Sequence, residues 1–308
     1  MISGIVYTSN SGYTAQYARL LGDALGLPVT DMKWGSDPHP GREVIYLGWL
    51  MAGKVMGYEK AAKEFNIRAV CGVGMGPASA AGADVRRDTF AAKTPKGERS
   101  FTNLYATFRP VDPNARWVVL VSHYDTKPDT SCPGANDGAS TSGLLVGVAN
   151  AFSGWTDRKG NLMLIWTDGE ECMRSYGEDD GLWGSKRAAE YLHETGREVQ
   201  AVICLDMLGD KDLSILVPAN GTPALSKIAI HAARRAGYPD LVRPTPDCVK
   251  DDHVAFLDRG YKAIDLIDFS YGPENAYWHT PQDTMENISE ASLLKSGRLV
   301  AEMLNILL

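Results

Sequence analysis

Four short apolar runs limit what this chain can fold into: "RWVVLVSH" (116–123), "NLMLIW" (161–166), "VQAVICLD" (199–206) and "YKAIDLID" (261–268). Each is too short and too continuous for an amphipathic helix, and reads as a strand buried on both faces. Helical patterns follow them: "STSGLLVGVANAFSG" (140–154), "WGSKRAAEYLHETG" (183–196), "TPALSKIAIHAARRAG" (222–237) and the closing amphipathic "SEASLLKSGRLVAEMLNILL" (289–308). Strand and helix in alternation require parallel pairing with crossover helices. The expected class is therefore α/β, with a mostly parallel central sheet flanked by helices. The strand-like "ADVRRDTFAA" and "FTNLYATFRP" precede these runs.

The first part of the chain repeats the alternation on a smaller scale. "SGIVYT", "LPVTDM", "EVIYLGWL" and "IRAVCGVGM" read as strands, and "AQYARLLGDALG" and "GYEKAAKEFN" as helices. The Gly/Pro/Ala-rich "GPASAAGAD" then marks a seam near position 77. Two parts are expected, 1–77 and 78–308. Both look shortened where they meet, as in a fusion, a recombined reading frame or an engineered joint.

In open α/β sheets, ligands collect beyond the carboxyl ends of the strands. At those positions the chain places His123 and Asp125 in "HYD", Asp137 in the loop "GANDGAS", Glu170 and Glu171 after "LMLIWTDG", Asp206 after "AVICL", and His279 in "YWHT". Imidazole and carboxylate are zinc ligands, and this set can build one site or two that share a bridging carboxylate. On an extended backbone, Glu170 and Glu171 point in different directions, so one can ligate while the other acts as general base. His39, His193 and His231 fall in a loop and in helices and are read as structural or solvated.

Other function classes are disfavoured. The net charge of −7, with no basic block, argues against a nucleic-acid partner. The five cysteines contain no CxxC pair, so neither a structural zinc cluster nor a disulfide framework is expected. No apolar stretch approaches a membrane span, and the N-terminus has no secretory signal pattern. A cytoplasmic location is expected.

The ordered segments "HYD", "GANDGAS", "DGEE", "LDM" and "WHTPQDT" resemble the zinc aminopeptidases of metallopeptidase family 28, over roughly residues 80 to 308. That resemblance implies a zinc-exopeptidase fold. It places one zinc on His123 and Asp206 and another on Glu171 and His279. Asp137 would bridge them, Glu170 would be the general acid/base, and Asp125 would orient His123. A finer resemblance is to the glutaminyl cyclases. It rests on the insertion "CMRSYGEDD" after the paired glutamates, on "DDHVAFLDRG" with Asp251 leading, and on Trp278 before His279.

In the cyclase reading Asp137, Glu171 and His279 bind a single zinc. Glu170 shuttles a proton from the attacking amine to departing ammonia, supported by Asp206 and Asp251, and Tyr176 and Trp278 line the pocket. Tyr176 stands where those cyclases carry tryptophan, and Asp265 where they carry histidine. In the aminopeptidase reading, Glu170 deprotonates the water that attacks the first peptide bond. Both readings make peptide or protein N-termini the substrates, with cyclisation of N-terminal glutamine preferred. A scaffold that has lost its metals is a further alternative.

The opening "VYTSNSGYTAQYARLLG" resembles the start of a flavodoxin and implies a partial flavodoxin-like segment. Ser9, Ser11, Gly12 and Thr14 would form an FMN phosphate loop at a helix N-terminus, with Trp49 near the flavin ring. An FMN-binding protein carrying an inactive appendage is the remaining alternative.

Overall fold

In a computed structural model, residues 2–8, 13–32, 41–48, 50–51, 54–55, 58–72, 81–108, 112, 114–155 and 158–308 are described. The chain divides into two units, Met1–Gly76 and Pro77–Leu308. The first carries strands β1 (Gly4–Thr8), β2 (Val29–Asp31), β3 (Glu43–Gly48), the short pair β4 (Leu50–Met51) and β5 (Lys54–Val55), and β6 (Asn66–Gly72). Its helices are α1 (Tyr13–Leu25) and α2 (Tyr58–Glu64). The strands pair in parallel in the order β2-β1-β3-β6, the order in which a flavodoxin-type doubly wound sheet begins. Ser9, Ser11, Gly12 and Trp49 lie outside the described residues, and Thr14 falls in the first turn of α1.

The second unit opens with a long hairpin, β7 (Asp84–Thr94) and β8 (Gly97–Thr107), and continues through β9 (Trp117–His123), α3 (Ala139–Ser153), β10 (Asn161–Thr167), α4 (Trp183–Glu194) and β11 (Val199–Asp206). Then come β12 (Ile215–Val217), α5 (Pro223–Arg235), β13 (Val242–Pro244), α6 (Asp252–Asp258), β14 (Ala263–Ile267) and α7 (Glu290–Leu307). Eight strands form one sheet in the order β13-β12-β14-β11-β9-β10-β8-β7. Its centre, β14-β11-β9-β10, is parallel, and the β8 and β12 pairings to that centre are antiparallel.

The central strands are the core. Every residue of β9, β10 and β14 is buried. Side chains alternate between faces, so a one-residue slip would turn each buried side chain the wrong way, which holds the register. That register builds the site. Cys204 of β11 pairs with Val121 of β9, so two residues later Asp206 arrives level with His123. Thr167 of β10 pairs with His123 itself, which brings Glu170 and Glu171 just past the same sheet edge. Strands β12 and β13, three residues each, had no sequence signal, since so short a run cannot show periodicity.

Candidate active site

His123 ends β9 with its ring held from both sides. Nδ1 lies 3.2 Å from the Asp125 carbonyl oxygen, and Nε2 faces Asp137 Oδ1 at 3.2 Å and Asp206 Oδ1 at 3.1 Å. Gly138 makes room for the ring. Its φ is +96°, and a Cβ there would lie 2.8 Å from the Asp125 carbonyl oxygen and 3.1 Å from His123 Cε1. The Asp125 carboxylate lies 3.6 Å from Nδ1, and its hydrogen bonds go elsewhere, to the backbone N–H groups of Glu170 and Glu171, both at 3.1 Å. Asp125 thus orients His123 through its backbone while its side chain ties down the paired-glutamate turn.

Asp137 stands at the centre. Oδ1 faces His123, and Oδ2 lies 3.2 Å from His279 Nε2. His279 Nε2 is also 2.9 Å from Glu171 Oε1, and Lys127 Nζ donates to Glu171 Oε2 at 3.2 Å. Two donor groups result, His123–Asp137–Asp206 and Asp137–Glu171–His279, and each can hold a metal ion. Ligands at 2.0–2.1 Å around a tetrahedral ion sit about 3.3 Å apart, close to the separations found here. Asp137 Oδ2 and Glu171 Oε1 are both buried and converge on His279 Nε2, at 3.2 and 2.9 Å, as donors around one ion do. His279 itself takes a left-handed backbone, φ +57°, as does Met207 after Asp206 at +56°. Such strain gathers where surrounding structure holds a functional side chain in place.

The electrostatics follow from burial. Burial works against the imidazolium of His123, yet the carboxylates of Asp125, Asp137 and Asp206 raise its pKa well above the usual value. Burial opposes His279 as well, and Asp137 and Glu171 still carry it up to about 9. Asp137 is held below the ordinary carboxylate range, because the two histidines outweigh its desolvation. Burial lifts Asp206 to about 6 and lifts Glu171 above its usual value. Glu170 is pushed well up by burial and then by the charge of Asp251; Asp251 is pushed up by burial and by Asp206 and Asp252.

Glu170, Tyr176, Asp251, Phe269 and Trp278 line a pocket of about 270 Å³ beside these donors, room for a single side chain. Trp278 stacks on His279 with ring centroids 4.0 Å apart and meets Phe269 edge-on at 5.5 Å. Tyr176 arrives from the loop after the paired glutamates and donates its hydroxyl proton to Glu170 Oε1 at 2.8 Å. That loop is locally built. The Asp180 carboxylate accepts the N–H groups of Met173, Arg174 and Ser175 at 2.6, 2.9 and 3.0 Å, and Lys186 Nζ donates to the carbonyls of Gly177, Glu178 and Gly181.

The structure therefore brings together His123, Asp137, Glu170, Glu171, Asp206, Asp251 and His279, with Tyr176 and Trp278 at the pocket wall. Sequence reasoning missed several neighbours. Asp283, in the quoted "WHTPQDT", accepts the N–H groups of Asn136 and Asp137 at 2.7 and 3.2 Å and the hydroxyl of Tyr271 at 2.9 Å, fixing the Asp137 loop. Asp252 accepts from Thr167 Oγ1 at 2.7 Å, and Lys127 holds Glu171. His253, completely buried, lies directly after the two aspartates of "DDH". The only signal for these was proximity to a motif, which does not tell a positioning group from a solvated one.

Comparison with known proteins agrees with this arrangement. The model of peptidase family M28 matches residues 103–304. The chain belongs to peptidase family M28. A glutaminyl-peptide cyclotransferase-like protein of Bos taurus is 30% identical over 255 residues, covering 73% of this M28 chain and 65% of the relative. The chain thus spans about two-thirds of the length of that relative. An Acidobacteriales bacterium glutaminyl cyclase is similar in structure, with a TM-score of 0.70 at 34% identity, covering 76% of this chain and 82% of that one. A leucine aminopeptidase precursor from Bacteroides thetaiotaomicron gives a TM-score of 0.66 at 25% identity, covering 74% and 85%. Among the described residues, no helix is long and apolar enough to cross a membrane.

Proposed function

We propose that this chain is a zinc-dependent glutaminyl-peptide cyclotransferase that closes N-terminal glutamine of peptides into pyroglutamate with release of ammonia. The observation that carries the reading is a second buried acid, Asp251, in the pocket wall, where its charge raises the pKa of Glu170. A carboxyl group whose proton affinity is raised by its surroundings is suited to holding and returning a proton, which cyclisation requires of one residue in one turnover. Similarity to proteins named as glutaminyl cyclases supports the same reading.

Asp137, Glu171 and His279 would hold the zinc, whose chemistry there is Lewis-acid polarisation of the side-chain amide carbonyl. The aromatic wall of Tyr176, Phe269 and Trp278 packs against the glutamine methylenes and excludes water, which favours attack by the internal amine over hydrolysis. The α-nitrogen bonds to the amide carbon. Glu170 accepts its proton and delivers it to the amide nitrogen, the C–N bond breaks, and ammonia leaves. Tyr176, donating to one Glu170 oxygen, directs the other toward substrate. Asp206 pairs with His123 and raises the proton affinity of Asp251, whose charge in turn acts on Glu170.

A second reading, a two-zinc aminopeptidase, is favoured by the His123–Asp137–Asp206 group, which is complete and shares Asp137 with the first. The test is mass spectrometry of a Gln-initiated and a Leu-initiated peptide incubated with zinc-loaded full chain, with Glu170→Gln as control. Loss of ammonia from the Gln peptide alone, abolished in the control, is expected. Release of free leucine with the Gln peptide unchanged would sink the cyclase reading and leave the aminopeptidase.

A further inference from the structure

Behind the pocket wall is a third group of metal-type donors that neither reading uses. Asp251 caps α6, His253 is the second residue of that helix, and Asp265 sits at the middle of β14, in register with Cys204 of β11. One donor atom from each lies within 4.8 Å of the other two. His253 and Asp265 are both completely buried. Both ring nitrogens of His253 and both carboxylate oxygens of Asp265 have no hydrogen-bond partner in the protein.

Four such atoms on two facing side chains are unusual, because buried polar groups are nearly always satisfied. Direct pairing does not satisfy them. His253 Nδ1 and Asp265 Oδ2 are 4.0 Å apart, beyond hydrogen-bond range. A metal ion between them needs only a small closure of that spacing, since two ligands bound at 2.0–2.2 Å around a tetrahedral ion lie about 3.3–3.6 Å apart. Charge argues the same way. Burial, and then the negative charges of Asp251, Asp206 and Asp252, act against the Asp265 carboxylate, while His123 opposes them. A dication between two carboxylates and an imidazole is neutral overall, the condition under which buried charge is tolerated. Burial also keeps His253 in its neutral, ligating form, with its pKa down to about 4. Asp251 faces the pocket as well, which offers a small ion a way in.

We propose that Asp251, His253 and Asp265 form a further binding site for one divalent transition-metal ion, separate from the two groups that share Asp137. The ion would hold Asp251 in place behind Glu170. The experiment is zinc-edge anomalous diffraction from crystals of the full chain loaded with excess Zn²⁺, with metal-to-protein ratios measured in solution for wild type, Asp265→Asn and His253→Gln. The expected result is an anomalous peak among the three side chains and one fewer zinc per chain in both variants. Either a peak without anomalous signal, which identifies water, or no peak overturns the site. Equal ratios in wild type and a variant whose circular dichroism shows it folded also overturn it. The peak among Asp137, Glu171 and His279 is read separately in the same map, so failure of the catalytic reading and failure of this site are distinguishable.

Discussion

Asp283 offers a sharp test of how the site is held, because it makes no contact with substrate in the proposed reaction and yet anchors the loop of Asp137. It is completely buried, and its carboxylate receives the N–H of Asn136 at 2.7 Å, the N–H of Asp137 at 3.2 Å and the Tyr271 hydroxyl at 2.9 Å. Asp283→Ala leaves these three buried donors without an acceptor, each worth about 1–3 kcal/mol, together with the weaker Cys132 thiol that donates to the same carboxylate at 3.7 Å. Water entering the small space left by the carboxylate recovers part of this, so a loss of about 3–5 kcal/mol is expected. Tyr271→Phe removes only one donor together with its need, and is expected to cost about 1 kcal/mol. Urea unfolding of the metal-free full chain, followed by circular dichroism, reads both variants from the midpoint and slope. The same loop carries Asp137, so zinc affinity of Asp283→Ala falls as well, by at least tenfold on the scale seen when groups behind a metal ligand are removed. A stability loss below about 1 kcal/mol, or one equal to that of Tyr271→Phe, would refute the argument that the carboxylate anchors the loop through its backbone donors.

Zinc uptake should release a proton from His279 at neutral pH, because its pKa of about 9 keeps it protonated until metal displaces the proton. Affinity then rises about tenfold per pH unit between 7 and 9 and levels above, measurable by calorimetry in buffers of different ionisation enthalpy. The same raised pKa gives the metal-free protein stability that is complete below about 6.5 and lost as pH rises through about 9, which thermal unfolding across that range checks. Gly138→Ala, with φ +96° and a Cβ 2.8 Å from the Asp125 carbonyl oxygen, should displace the His123 ring and cost about 1–3 kcal/mol in backbone strain; unchanged urea unfolding and unchanged metal content would contradict it.

Much of the fold was legible because its signals are local. The fully apolar "VVLV" and "LMLIW" can only be strands covered on both faces, and the helical spacing of 289–308 can only be a helix with one buried side. The strand ends were legible for the same reason, and so were His123, Asp137, Glu170, Glu171, Asp206 and His279. The loop of Tyr176 was visible only as an insertion. Its geometry depends on Asp180 gathering three backbone N–H groups and Lys186 gathering three carbonyls, contacts that no periodicity announces. Strands β12 and β13 were lost because three residues carry no pattern.

Asp283 and Asp265 mark the boundary most clearly. In sequence, the first is one acid in a loop, and the second is an oddity inside an apolar strand. The fold brings Asp283 under the backbone of Asn136, 147 residues away, and β-register sets Asp265 beside Cys204, with His253 and Asp251 facing it. The sequence by itself determined the α/β class, the strand ends and the chemical type of the donors, because strand period and side-chain chemistry are properties of neighbouring residues. Only the tertiary structure decided which donors meet, that Asp137 lies between two histidines, and which acids are buried together. Those outcomes depend on register and loop packing between segments far apart in the chain, and burial among like charges sets the proton affinities the proposed chemistry uses.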